Sequence, residues 1–248
     1  MIIGKKKPSL LANIVLILAV LSGVSVIIMV TGASIGLWEP IDGFRYSRMY
    51  NNNIGYAVTA ISVISLIYLS MKTYLMGKKK ALISLIIGIA ILSPSLYSMI
   101  GPKISYPGIH DITTDTVNPP LFITLTDDRP GARNTLVYGG PKIAVQQIEA
   151  FPDIKPIMSS LSPDEAYAKA LAVGEAMGWE IIGAEPAVRR FEGTAETPYF
   201  KFVDDTVVVV SQTAGGSRID VRSVSRIGRG DIGVNGLRIR EFISLFNK

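Results

Sequence analysis

Pro8-Ser-Leu-Leu-Ala-Asn-Ile-Val-Leu-Ile-Leu-Ala-Val-Leu-Ser-Gly-Val-Ser-Val-Ile-Ile-Met-Val-Thr-Gly-Ala-Ser-Ile-Gly-Leu-Trp38 runs without a single charge. About 20 apolar residues cross a hydrocarbon core, so this stretch alone is long enough to span one. Two further uncharged stretches follow, about Ile54 to Met71 and Ala81 to Pro102. The pattern predicts three transmembrane helices over about residues 10–32, 54–75 and 81–100, forming a membrane domain over residues 1–100. Residues 101–248 are left for one modest soluble domain. The first apolar core is too long for a signal-peptide h-region and lacks a small-x-small cleavage site, so it reads as an uncleaved anchor.

Charge is divided between these parts. Residues 1–100 carry nine Lys and Arg against two acids, and residues 101–248 carry sixteen against eighteen. The net +5 of the chain therefore belongs to the helix ends, where it reads as topology, and nucleic-acid binding is set aside. Lys5, Lys6 and Lys7 precede the first span, and Lys72, Lys78, Lys79 and Lys80 fill the turn between the second and third. Cytoplasmic loops collect such residues. The N-terminus is then cytoplasmic, and the soluble domain lies on the periplasmic side of an inner membrane. Trp38, Phe44, Arg45, Tyr46, Arg48 and Tyr50 read as an interfacial loop between the first two spans. With no ionisable residue inside a span, an ion or proton pathway is poorly supported. The chain has no cysteine, which excludes disulfides, thiolate metal sites and a Cys nucleophile.

Gly101 to Gly108 is a Pro/Gly linker reaching at most about 27 Å, so the domain works near the membrane surface. The turn-rich segment from His110 to Tyr138 reads as a strap wrapping the domain. Ser162-Pro163-Asp164-Glu165 spells a helix start with a capping box, and Gly178 stops that helix. Strands are predicted at Trp179–Ala184, Val188–Ala195, Tyr199–Val203, Thr206–Gln212 and Arg218–Val224. Asp204-Asp205 and Ala214-Gly215-Gly216 read as hairpin turns between the last three. The apolar run Val207 to Val210 marks a central strand covered on both faces. Ile239, Phe242, Ile243 and Phe246 make one face of a C-terminal helix starting near Asn235. The fold class is α+β: three transmembrane helices, then a two-layer domain with an antiparallel sheet and two main helices.

Several segments of this domain resemble domain-of-unknown-function family 1499. They are Tyr106-Pro-Gly-Ile-His-Asp-Ile-Thr-Thr-Asp115, Phe151-Pro-Asp-Ile-Lys-Pro156 and Ala176-Met-Gly-Trp-Glu180. The most specific is Asp220-Val-Arg-Ser-Val-Ser-Arg-Ile-Gly-Arg-Gly-Asp-Ile-Gly-Val-Asn-Gly-Leu-Arg-Ile-Arg240. The resemblance covers about residues 105–247. It implies a domain of bacterial envelopes and photosynthetic lineages and brings no agreed activity with it.

Gly228-Arg-Gly-Asp-Ile-Gly233 matches the dinucleotide fingerprint in letters only. Fifteen residues remain after it, too few for the rest of a βαβ unit or for a ribose-binding acid. No cofactor is implied. Glycines ahead of a helix can still turn backbone N–H groups toward an anion. Around Gly228 and Gly230 gather Arg222, Arg226, Arg229, Arg238 and Arg240, the last two in helix-opening turns where the macrodipole disfavours cations. Two readings stand side by side: an anion site, or structural bracing in which Arg218, Asp220 and Arg222 pair along one strand face and Arg226 ties down Asp231 or the Asp204-Asp205 turn. His110, the only histidine, with Asp111 and Asp115 forms the remaining polar cluster. It lacks the second histidine of a typical metal site and a visible nucleophile. The expectation is a membrane-anchored binding or assembly module that meets an anionic lipid headgroup or an acidic surface of a membrane complex. A hydrolase or lipid-modifying enzyme using His110 is the alternative.

Overall fold

The structure, a computed structural model, describes residues 9–72, 75–103 and 105–248. Lys5, Lys6 and Lys7 lie outside the described residues. The chain divides into two compact units, Met1–Lys103 with Tyr199–Lys201, and Ile104–Pro198 with Phe202–Lys248.

The first unit holds three helices, α1 (Leu10–Thr31), α2 (Pro40–Met71) and α3 (Leu75–Ile100). All three are long and apolar enough to cross a membrane. Ser9 caps α1 by accepting from the Ala12 N–H. The second helix begins at Pro40 rather than near residue 54, so most of the expected interfacial loop is helical. Pro40 suits the first helical position, and Asp42 lies in the first turn, paired with Arg45 one turn on. Polar residues there lengthened the helix instead of ending it. Polarity in α2 runs inside out: Ser47, Gly55, Ser62 and Ser65 are buried, while Ile61, Val63, Ile64 and Ile67 are exposed. A Cβ on Gly88 of α3 would lie 2.9 Å from the backbone nitrogen of Thr59 in α2. Such close approach is how helices gain van der Waals contact where lipid offers no hydrophobic drive.

The second unit is built on one antiparallel sheet of six strands: β1 (Asp111–Thr113), β2 (Ile157–Ser159), β3 (Glu180–Glu185), β4 (Arg190–Glu196), β5 (Val203–Thr213) and β6 (Gly216–Ser225). The order is β1-β6-β5-β4-β3, with β2 pairing β6 beside β1. The expected strand at Tyr199–Val203 is absent as such, and Asp204-Asp205 is not a turn. Both aspartates lie inside the eleven-residue β5, paired with Ser225 and Val224 of β6. The Ala214-Gly215 turn does close the β5–β6 hairpin.

Three helices complete the unit: α4 (Pro141–Ala150), α5 (Pro163–Ala176) and α6 (Val234–Phe246). The capping box of α5 forms as the sequence spells it, with Ser162 and Glu165 bonding reciprocally. Gly178 follows the helix in the left-handed region at φ 76°. Helices α5 and α6 cover one face of the sheet, where Phe191, Val208, Val210, Ile219 and Val221 meet Tyr167, Trp179 and Phe242 in the core. On α4, the buried Gln147 side chain accepts from the Thr113 N–H at 3.0 Å and donates to its carbonyl at 2.6 Å. That contact satisfies the backbone of a three-residue edge strand.

The opposite sheet face carries the strap that follows β1. Val207 is fully buried on this side, as a strand covered on both faces requires. The strap forms no ladder with the sheet. Glu192 anchors it instead, its carboxylate accepting the backbone N–H groups of Ile123 (2.6 Å), Thr124 (3.2 Å) and Leu125 (2.7 Å).

Candidate functional site

Register places Asp111, Val224, Asp205, Thr194 and Glu180 in one row across the strap-covered face. Asp205 is fully buried, and two guanidinium groups share its carboxylate. The Arg129 Nε donates to one oxygen. Arg226 donates to the other through Nε at 2.9 Å, and its Nη2 lies 2.8 Å from the same oxygen. Arg129 spends its remaining donors on its own loop: the Thr126 carbonyl, Asp127 and the Asn134 carbonyl. Arg226 bonds the Pro130 carbonyl through Nη1 at 3.0 Å. The second hydrogen on each Nη of Arg226 has no partner among the described residues, and 13% of its side chain is exposed.

These groups floor a groove of about 520 Å³, which also takes in Leu125 and Thr194. Pro130, Glu180, Ile182 and Glu196 stand exposed around its rim. A hairpin and the strap together make the groove. The β3–β4 pair supplies Glu180, Ile182, Thr194 and Glu196, while Glu192 pins the strap so that Leu125 and Arg129 face the sheet. One buried carboxylate against two guanidinium groups leaves positive charge at the floor. Asp127 offsets it from a position 57% exposed, where solvent screens the pair.

The arginines singled out by the sequence are distributed differently. Arg222 is fully buried, bidentate to Asp111 at 2.9 and 2.7 Å, and bonds the carbonyls of Pro120 and Leu136. The rings of Phe122 and Tyr138 lie 5.2 and 5.5 Å from its guanidinium carbon. Burial, helped by the Asp111 charge and opposed by Arg222, pushes the Tyr138 hydroxyl up to about 12. Arg218 pairs with Asp220 and Asp115. Arg238 reaches Asp204, Ser223 and Asn235, and Arg240 takes Asp153 bidentately at 2.6 Å. Arg238 and Arg240 thus gain carboxylate partners that offset their unfavourable place at the start of α6.

Arg229 is exposed and has no ion pair among the described residues. The neighbouring glycines have steric reasons: Gly228 adopts φ 106°, and a Cβ on Gly230 would lie 3.0 Å from the Gly108 Cα. The N–H groups of Gly233 and Asn235 donate to Asp231 at 2.9 and 2.6 Å, so the chain's own carboxylate occupies the start of α6. Burial raises the Asp231 pKa against those donors.

His110, Asp111 and Asp115 do not converge. The His110 Nδ1 lies 3.4 Å from the Arg229 carbonyl oxygen, and Asp111 is committed to Arg222. Asp115 accepts from the N–H groups of Val117 and Asn118 and from Arg218. Burial alone would raise its pKa, but those donors hold it below the usual carboxylate value. No group of three His, Cys, Asp or Glu able to hold a metal occurs among the described residues. Sequence reading missed Arg129, Thr194 and Glu180. Arg129 lies in a turn-like run beside Asp127 and Asp128 and reaches the groove through the strap, while strand register brings Thr194 and Glu180 together.

The second unit is an α+β domain with helices on one sheet face and an ion-paired strap on the other, preceded in the chain by three long apolar helices. The family model described as Protein of unknown function (DUF1499) matches residues 111–246, from β1 to the end of α6. That is more than half of the chain, and the chain belongs to this family, in agreement with the segment around Asp220. No curated protein matches it.

Proposed function

We propose that this protein is a membrane-anchored binding module whose extracytoplasmic domain takes an anionic group in the groove above Arg226. One observation carries the reading: Arg129 and Arg226 share the single buried carboxylate of Asp205 at the groove floor. Buried guanidinium charge calls for a compensating anion, and the open fork of Arg226 suits two oxygens of a phosphate or carboxylate. Three apolar helices and the Lys78–Lys80 cluster in the first turns of α3 support an anchor whose lysine-rich end faces the cytoplasm.

Titration of inorganic phosphate into the full chain in nanodiscs, followed calorimetrically, tests the reading. Thr194→Val keeps the shape of the floor and removes its hydroxyl, while Arg226→Lys keeps the charge and removes the fork. Both should weaken binding by roughly five- to tenfold or more; Thr194→Val should retain the melting curve, while Arg226→Lys also gives up the Pro130 carbonyl and part of the Asp205 pairing and should melt somewhat lower. Arg229→Ala should leave it unchanged. Binding lost only in Arg229→Ala would move the site to the glycine-rich loop, and no binding by the parent chain would end the proposal.

A further inference from the structure

The lysine end of the helical unit has no counter-charge within that unit's three helices. Lys72 closes α2, and Lys78, Lys79 and Lys80 lie in the opening turns of α3, whose first turn holds no acid. Cations there oppose the helix macrodipole. The sequence adds Lys5, Lys6 and Lys7 just ahead of α1. The acids of residues 1–100 are Glu39 and Asp42 alone, and both stand at the start of α2. At about 1.5 Å per residue the run from Asp42 to Lys72 is about 45 Å long, well beyond the range of a charge in physiological salt.

Lys80 differs from the other lysines in how it is held. It is half-buried, and its ammonium donates to the Asn13 side-chain oxygen across the seam between α1 and α3. The helix ends close tightly here: a Cβ on Gly77 would lie 3.1 Å from a Leu69 methyl carbon and 3.2 Å from the Ser9 Cβ. An ammonium carries three N–H groups and a side-chain amide two. One ammonium N–H serves Asn13. The rest, with both N–H groups of the Asn13 amide, have no partner among the described residues. One turn deeper, Ile17 of α1 and Ile83 of α3 are 57% and 48% exposed. A fixed cation, a neutral donor beside it and apolar surface directly beneath complement a lipid, whose phosphate sits above its acyl chains.

We infer that the α1–α3 seam seats the phosphodiester of an anionic phospholipid. Lys80 and the Asn13 amide donate to its oxygens, and its acyl chains lie along Ile17 and Ile83. The exposed Lys79 adds attraction without contact. A zwitterionic headgroup is disfavoured because it brings an ammonium of its own among the lysines. The seat lies within the helical unit and is independent of the groove at Arg226. Nothing is bonded or cleaved: the step is recognition only.

The test titrates the full chain in detergent micelles with phosphatidylglycerol or phosphatidylcholine of matched acyl chains and counts bound lipid by native mass spectrometry. About 0.5 M ammonium acetate screens exposed charges beyond about 4 Å, so diffuse attraction is suppressed and the seat is read. Phosphatidylglycerol should bind roughly tenfold more tightly than phosphatidylcholine. Lys80→Gln should abolish that preference, while Lys79→Gln should leave it within about twofold. Asn13→Asp sets a carboxylate against Lys80. It should also abolish the preference while holding α1 to α3, so the loss is not one of folding, and helicity by circular dichroism checks this. Arg226→Lys should change nothing. Equal affinity for the two lipids on the parent chain would overturn the inference. Equal losses in Lys79→Gln and Lys80→Gln would reduce the effect to diffuse charge and overturn the seat, as would a preference surviving in Asn13→Asp. Displacement of phosphatidylglycerol by glycerol phosphate would show a site for free phosphate and overturn the lipid.

Discussion

The two faces of the sheet in the second unit solve the same covering problem with opposite chemistry. Helices α5 and α6 cover one face through aliphatic and aromatic contact, with Phe191, Val208, Val221 and Phe242 at its centre. The other face meets an irregular strap through Arg222 with Asp111, Arg190 with Glu192, and Arg129 and Arg226 with Asp205. A helix satisfies its own backbone, so an apolar surface suffices beneath it. An irregular strap does not, and its inward carbonyls take donors from side chains. The guanidinium groups supply them: Arg222 bonds the carbonyls of Pro120 and Leu136, Arg129 those of Thr126 and Asn134, and Arg226 that of Pro130. Arginine here takes the place of a ladder.

The contrast can be broken from either side. Asp205→Ala leaves two guanidinium groups facing each other under the strap and should cost about 3–5 kcal/mol, read from thermal denaturation in detergent. On the helix face, Phe242→Ala should cost a similar 3–5 kcal/mol by opening a cavity, but without releasing the strap to protease. Cleavage between Asp127 and Tyr138 should appear only in the Asp205 variant.

Arg222→Met sharpens the comparison. Alone it abandons the buried Asp111 and should cost about 3–5 kcal/mol. Combined with Asp111→Asn it should recover only part, because the buried Pro120 carbonyl stays without a donor at about 1–3 kcal/mol. Full recovery in the double variant would show that the charge pair alone mattered.

Smaller effects belong to the rim. Arg240→Ala removes an ion pair whose side chains are 36% and 53% exposed, worth under about 1 kcal/mol. The Arg240 hydrogen bond holds the Asp153 pKa below its ordinary value, so the pair contributes stability above the unfolded Asp pKa. That contribution fades as pH falls through the depressed folded value, and the acid limb of the stability profile should flatten in Arg240→Ala. Asp231 behaves in the opposite sense. Burial raises its pKa, so stability declines as pH rises from the unfolded value through the folded one. Asp231→Asn should remove that slope, but its one oxygen serves only one of the Gly233 and Asn235 N–H groups, which bond separate Asp231 oxygens, so it should also cost about 1 kcal/mol at neutral pH.

The sequence was most legible where structure is local. Ser162 to Glu165 carries its own cap, and the uncharged runs carry their own length. Legibility failed at Asp204 and Asp205, where two acids between apolar segments have the composition of a turn. They remain in a strand because Arg238, Arg129 and Arg226 reach them from 34, 76 and 21 residues away. The start of α2 was hidden similarly, since helix formation at Pro40 needs a first turn and not apolar composition. For the groove, the sequence supplied Arg226 but not its company. Thr194 and Glu180 meet it through strand register, and Arg129 through the strap, neither of which leaves a spacing to find.

The single carboxylate of Glu192 holds the amide hydrogens of three consecutive residues, Ile123, Thr124 and Leu125. A ladder opens one rung at a time, and its amides lose protection from the ends inward. Three amides on one carboxylate should exchange with deuterium at linked rates. In the strap, the rate of that shared release sets how often the floor of the groove, with Leu125 and Arg129, comes apart and reforms.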